Sequence, residues 1–272
     1  MRKIFRANLI YFIPILASLL FGILCAHLLI ASSMAFPDVT PFPDTPTGSI
    51  GNAFYFVVLV AAGATFLLLL LRLKSYRLIL IFTGFALTVV SFTLSTLYLS
   101  AALLLLNTSS LEAPLLGSAL IACLVCYAVF REQRKFLNSI VVFLGGATGA
   151  FLGWIIPTLS AILILCFMAA YDIFTVYYGP VGKIAREGIE RFSGLVFSFE
   201  DFQMGLGDLT FYSMLSCHML FNLGAFSCIA SIIGILAGCL LYFKTLERRG
   251  IFPGLPFPVS LGLLFGFLVS LI

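Results

Sequence analysis

Apolar runs long enough to cross a lipid bilayer, about 20 residues each, recur along this chain from one end to the other. Of its 272 residues 62% are hydrophobic and only 10% charged, too little polar surface for a water-soluble domain of this length. The solvent for most of the protein is therefore lipid. A spanning segment must satisfy its own backbone hydrogen bonds, and strand-length alternating segments are absent, so the expected core is helix on helix rather than a membrane barrel. No separate soluble domain fits between the runs, and residues 1–272 read as a single membrane-embedded domain. The basic stretch Met1–Arg6 followed by an apolar run imitates a signal peptide. That run reaches about Ala31, beyond the roughly 7–15 residues of a signal core, and reads as the first helix.

Spans are expected at 8–31, 53–73, 78–99, 114–130, 137–156, 158–178, 204–222, 225–243 and 254–272. Helices one to six thus end near residue 178, a loop covers 179–203, and helices seven to nine follow from 204. Two divisions are inferred within double-length runs, at Pro157 and at Asn222-Leu223-Gly224. Apolar character after Leu78 persists to Leu106, so the third helix is expected to be long and tilted or bent at its outer end.

Charge tests the division. All 15 Lys and Arg fall in the N-terminus and in the second, fourth, sixth and eighth loops, while the alternate loops hold Asp38, Asp44 and Glu112. The positive-inside rule then puts the N-terminus in the cytoplasm and the C-terminus outside. The net charge of +4 is accounted for by this bias, and no nucleic-acid partner is expected.

Gly145, Gly149 and Gly153 repeat every four residues in span five, and Gly234 and Gly238 do so in span eight. Such stripes let helix backbones approach closely. Packing within one chain is the preferred reading, with a homo-oligomer seam as the second. The seven cysteines all lie in apolar runs, which argues against a disulfide framework. Cys123 and Cys126 lack polar or His partners and read as small buried hydrophobes.

Ionisable groups within a span are costly and usually functional. Two carboxylates lie well inside the expected spans, Asp172 in the sixth and Asp208 in the seventh. Asp172 is six residues from the inner end of its span, roughly 9 Å, and Asp208 four residues from that of its own, roughly 6 Å. Adjacent antiparallel helices therefore carry both acids at similar depth. Paired carboxylates suit peptide hydrolysis: the pair holds one proton, the ionised member activates water, and the protonated member donates to the scissile carbonyl. A pair of acids bonded into a helix interface, or a carboxylate-lined ion or proton pathway, fits the same depth.

The local motifs separate these readings. Tyr171-Asp172 stands at the first acid, Gly205-Leu206-Gly207-Asp208 at the second, and Pro253-Gly254-Leu255-Pro256 opens the ninth span. In that order, and in helices six, seven and nine of nine, these resemble the YD, GxGD and PAL elements of the presenilin and signal peptide peptidase family. Residues 205–213 read GLGDLTFYS, much as presenilins do, and Gly179-Pro180 follows at a presenilin-like spacing. The resemblance implies an intramembrane aspartyl protease that cleaves peptide bonds within transmembrane segments. Asp172 and Asp208 would be its catalytic dyad. Tyr171, Gly205, Leu206, Gly207, Pro253, Gly254, Leu255 and Pro256 would be motif and substrate-binding positions. It implies no metal and no cofactor, partners limited to transmembrane substrates and the bilayer, and an active site near the cytoplasmic side. The charge-derived orientation matches the presenilin branch, signal peptide peptidases being inverted. No extracellular domain or partner-like segment is seen, which resembles compact microbial homologues that need no accessory subunits.

The chain departs from the family at two places. Gly254 stands where the family has Ala, and the loop between the acids is short, so cleavage during maturation is not expected. Irregular backbone around Pro253 and Pro256 is tolerated where it lines a wet cavity. Leu195 to Phe199 is a candidate strand for pairing with an unwound substrate, against the alternative of an ordinary amphipathic loop. His27 and His218 are the only histidines, and His218, ten residues past Asp208 and roughly 15 Å along a helix, reads as a structural or packing residue. No HExxH, no Ser/His arrangement and no strand before Gly205 support metalloprotease, serine-protease or dinucleotide readings.

Overall fold

The protein is described by a computed structural model over residues 9–34, 40–108, 112–131, 134–178, 196–199 and 202–271. Nine α-helices occur among the described residues. They are α1 Phe12–Ser32, α2 Pro46–Arg72, α3 Tyr76–Leu105, α4 Glu112–Phe130, α5 Arg134–Ile155, α6 Thr158–Tyr177, α7 Leu206–Leu223, α8 Ala225–Arg249 and α9 Pro256–Ser270. A 3-10 turn at Leu9–Tyr11 leads into α1. A short antiparallel hairpin, β1 Val196–Phe199 with β2 Phe202–Gly205, leads into α7.

Both inferred breaks are present. Pro157, at φ −57° and ψ 150°, separates α5 from α6, because its ring and missing N–H prevent the helix from running through. Gly224, at φ 89° and ψ −179°, separates α7 from α8. A Cβ there would meet nothing within 4 Å, so the backbone angle rather than crowding selects glycine. The third helix is long and unbroken to Leu105, as its apolar run suggested.

Several boundaries differ from the sequence expectation: α2 starts at Pro46 rather than 53, and α3 ends at Leu105 rather than 99. α7 starts at Leu206 rather than 204, because Phe202–Gly205 is paired in the hairpin. α9 starts at Pro256 rather than 254, so the Pro253–Leu255 stretch lies outside any helix. α8 runs to Arg249, six residues past its expected end, before Gly250 ends it in the left-handed region at φ 75°.

Seven helices, α1 to α6 and α8, are long and apolar enough to cross a membrane, so the chain is a multi-pass membrane protein. α9 is a shorter apolar helix. α7 is long enough but too polar, and its surroundings explain why. It is packed on by α1, α5, α6, α8 and α9, and Leu209 through Leu220 are all buried. It faces protein rather than lipid. Its Thr210 and Ser216 hydroxyls donate back to the carbonyls of Leu206 and Ser213, at 2.9 and 3.1 Å. Ser213 Oγ lies 3.3 Å from Ser18 Oγ of α1, and the His218 ring donates through Nδ1 to the Gly153 carbonyl of α5 at 2.9 Å. His218 is thus a packing residue, as expected.

The glycine stripes set these contacts. A Cβ on Gly149 would stand 2.6 Å from the Thr210 carbonyl oxygen and 2.7 Å from the Met214 nitrogen. One on Gly153 would stand 2.8 Å from the Met214 oxygen. Gly234 and Gly238 likewise abut the backbone of α9 at Leu261 and Pro258. Both stripes therefore serve packing within the chain. On the other flank, Asn52 of α2 donates to Ser160 Oγ of α6 at 3.2 Å, which fixes the helix that carries Asp172. All seven cysteines are free.

Gly149→Ala should destabilise the bundle by about 1–3 kcal/mol, because backbone rather than a flexible side chain blocks the new methyl. Gly63, on α2, has open space around it, and Gly63→Ala should be neutral or stabilising. Thermal unfolding of both variants in detergent checks the pair; equal losses would mean that the α5–α7 approach is not tight.

Candidate active site

α6 and α7 present one carboxylate each to the end of the bundle where α6 stops and α7 starts. Asp172 lies five residues before the last residue of α6, and Asp208 is the third residue of α7. Both are half-buried. Helix starts favour acids, since the first N–H groups have no partners within the helix. Gly205, the N-cap of α7, is extended at φ −71° and ψ 146°, and a Cβ on it would stand 3.9 Å from Asp208 Oδ2.

The third contributor is the stretch between α8 and α9. Pro253, Gly254 and Leu255 are buried. The Leu255 N–H donates to Asp172 Oδ2 at 3.0 Å. Gly254 faces the other acid: a Cβ on it would stand 3.1 Å from Asp208 Oδ2 and 3.4 Å from its Cγ. One turn of backbone therefore touches both carboxylates, and the two acids interact with each other electrostatically. Pro256 occupies the first position of α9, where its missing N–H costs nothing. Phe252 and Phe257 stack across the turn with centroids 5.1 Å apart and planes 17° from parallel.

Of the residues singled out in the sequence, the structure brings Asp172, Asp208, Gly205, Gly254 and Leu255 into one cluster, with Pro253 and Pro256 framing it. Tyr171 and Leu206 pack against the apolar core beside it, and Gly207 is exposed. The candidate strand at Leu195–Phe199 is found as β1, with Leu195 outside the described residues. Gly179-Pro180 also lies outside them.

Tyr212 was not singled out. It is fully buried and donates its hydroxyl to the Gly254 carbonyl at 2.8 Å, with Tyr242 and Cys239 of α8 close by. The available signal was its spacing. Four residues after Asp208, it shares that acid's face of α7.

No protein-family model matches the chain. No curated protein sequence matches it either. Solved structures do. A presenilin family intramembrane aspartate protease in a P2 crystal form aligns with a TM-score of 0.69 at 22% identity, covering 97% of this chain and 96% of that one. The C222 form aligns with the same score and identity, covering 96% and 100%. The presenilin-type fold implied by the motifs is therefore present along nearly the whole chain.

Gly254→Ala should leave the protein folded, with stability changed by less than about 1 kcal/mol. The new methyl meets a carboxylate that can rotate by a few tenths of an ångström, and no positive φ opposes it. Gly254→Val should be clearly less stable. Similar thermal midpoints for the two variants would contradict the close approach of Asp208.

Proposed function

We propose that this chain is an intramembrane aspartyl protease that hydrolyses peptide bonds within transmembrane segments of other proteins. One observation carries the reading: two carboxylates on neighbouring helices of a presenilin-type fold meet the same two residues of irregular backbone, Gly254 and Leu255. A structural ion pair would need a cation at this place, and among the described residues neither acid has one within bonding reach.

In this mechanism the Asp172/Asp208 pair shares one proton. The ionised carboxylate takes a proton from water as the water oxygen attacks the scissile carbonyl carbon. The protonated one donates to the carbonyl oxygen, giving a gem-diol; the first carboxylate then passes its proton to the amide nitrogen while the second takes one back from a gem-diol hydroxyl, so the C–N bond breaks to a carboxylic acid and an amine. A substrate helix must first unwind. Its freed backbone can pair with an edge of the β1–β2 hairpin, which ends at Gly205 beside Asp208. Gly207, exposed one residue before Asp208, leaves room for that chain. Tyr171, Leu206, Pro253 and Pro256 shape the walls.

The proposal includes nine membrane spans within one domain, α7 and α9 crossing under cover of the other helices. It includes an N-terminus in the cytoplasm, a C-terminus outside and the acids near the cytoplasmic side. It needs no metal, cofactor or accessory subunit.

Asp172→Ala or Asp208→Ala should abolish cleavage of a fluorogenic single-span peptide in detergent, with the protein still folded. For the wild type, turnover against pH should be bell-shaped, since only the singly protonated pair is competent. Asp172→Asn should be inactive at every pH rather than shifted, because an amide neither gives the acid proton nor accepts one as base. An ion pathway predicts flux without cleavage and partial function after one Asn substitution. Cleavage by either Asp variant, or none by the wild type at any pH, removes the protease reading.

Orientation is tested separately. A reporter fused after Ile272 should be found outside and one inserted within 182–192 inside, with preference for substrates whose N-terminus is outside. The reverse pattern would invert the molecule.

A further inference from the structure

The Gly254 carbonyl and the Leu255 N–H belong to one peptide group. A trans peptide is planar, and its C=O and N–H point in opposite directions. In this protein both ends of that plane are held. The oxygen accepts from Tyr212 Oη at 2.8 Å, and the N–H donates to Asp172 Oδ2 at 3.0 Å. The peptide thus bridges α7 to α6, and rotating it would break both bonds together.

We propose that Tyr212 is a positioning residue of the candidate site: its hydroxyl fixes the orientation of the Gly254–Leu255 peptide, and that peptide in turn aims the Asp172 carboxylate. Four observations support this. Tyr212 is fully buried, so water does not compete for the Gly254 oxygen. It stands four residues after Asp208 on one helix face, so the residue that orients one acid's partner is rigidly tied to the other acid. The bonds run in sequence from hydroxyl to carbonyl and from amide to carboxylate, and hydrogen bonds joined through a peptide polarise one another. Finally, neither Pro253 nor Pro256 has an N–H to hold the turn, which leaves the Gly254 and Leu255 amides between them as its donors toward Asp172. The Phe252–Phe257 stack keeps the turn closed but does not set the rotation of the 254–255 plane.

The consequence for turnover rests on the protease reading; the consequence for the peptide does not. Tyr212→Phe removes one oxygen and keeps the ring. It leaves a buried carbonyl without its donor, and the peptide is freed to rotate. The chemical step should slow by about tenfold to a hundredfold, because small displacements of a reacting group are costly. Remote substrate contacts are untouched, so KM should stay within about twofold. Leu255→Pro removes the same N–H from the other end. Leu255 has φ −76°, which proline can adopt, and the variant should show the same loss in kcat.

The experiment combines two measurements on the full chain in detergent. Hydrogen exchange is followed in peptides covering 251–257, where Leu255 reports the bond to Asp172. Turnover of a fluorogenic single-span peptide is measured per active site, titrated with a hydroxyl-containing transition-state mimic. The variants are Tyr212→Phe, Asp172→Ala and Leu255→Pro, with Tyr127→Phe on the exposed face of α4 as control. Tyr212→Phe and Asp172→Ala should both speed exchange at Leu255 by about tenfold or more, and Tyr127→Phe should not. Faster exchange with reduced kcat and unchanged KM supports the assignment. Unchanged exchange in Tyr212→Phe overturns it, as does faster exchange with unchanged kcat. If Tyr212→Phe does not fold, exchange in Asp172→Ala and kcat in Leu255→Pro test the same peptide; wild-type values in both overturn it. If the wild type cleaves nothing, the protease reading fails, and exchange at Leu255 alone decides whether Tyr212 sets the peptide.

Discussion

The structure depends on the burial of α7. This helix carries a carboxylate, a histidine and several hydroxyls, and in contact with lipid each would be costly. It is stable in a membrane protein because other helices surround it. That enclosure requires backbones to come closer than ordinary side chains permit. Gly149 and Gly153 of α5 supply the space, with the α7 backbone where their side chains would be. In exchange, α7 gives its polar groups partners: Ser213 meets Ser18, His218 meets the Gly153 carbonyl, and Thr210 and Ser216 bond back to their own helix. Without the stripe, neither the burial nor the placement of Asp208 follows.

The same bookkeeping of polar groups explains how irregular backbone survives between α8 and α9. A run containing Pro253, Pro256 and Pro258 cannot form a regular helix from its start, and open backbone in a bundle needs partners. The partners are side chains of the candidate site. The Leu255 N–H uses Asp172, and the Gly254 carbonyl uses Tyr212. Structural satisfaction of the turn and assembly of the carboxylate cluster are one arrangement. A chain that lost Asp172 would lose part of what holds its turn, which couples local order to the site.

Much of this was legible in the sequence, for reasons that differ by element. Lipid-facing helices advertise themselves by unbroken apolar length, and Pro157 and Gly224 cut the runs because their backbone restrictions are local. The acids stood out because few ionisable groups occur in apolar runs. The misses are non-local. The start of α7 moved to Leu206 because Phe202–Gly205 has a strand to pair with, and nothing in Met204 or Gly205 alone reveals it. The modest apolarity of α7 is explained only by what surrounds it. Tyr212 was hidden for the same reason: its partner is 42 residues away, and a buried tyrosine in an apolar run usually reads as packing.

The departure at position 254 can be understood in these terms. The peptide following it lies against one carboxylate while its α-carbon faces the other, so any side chain there projects at Asp208. The quantity under constraint is therefore the volume beyond the α-carbon, and both glycine and the alanine of the family that the motifs resemble satisfy it. Glycine adds backbone freedom, which at a site of this kind would blur the geometry. Here that freedom is offset on every side. Pro253 and Pro256 restrict the flanking angles, the Phe252–Phe257 stack closes the turn, and the two ends of the 254–255 peptide are bound to different helices. The order that alanine would supply locally is thus supplied by the surrounding structure.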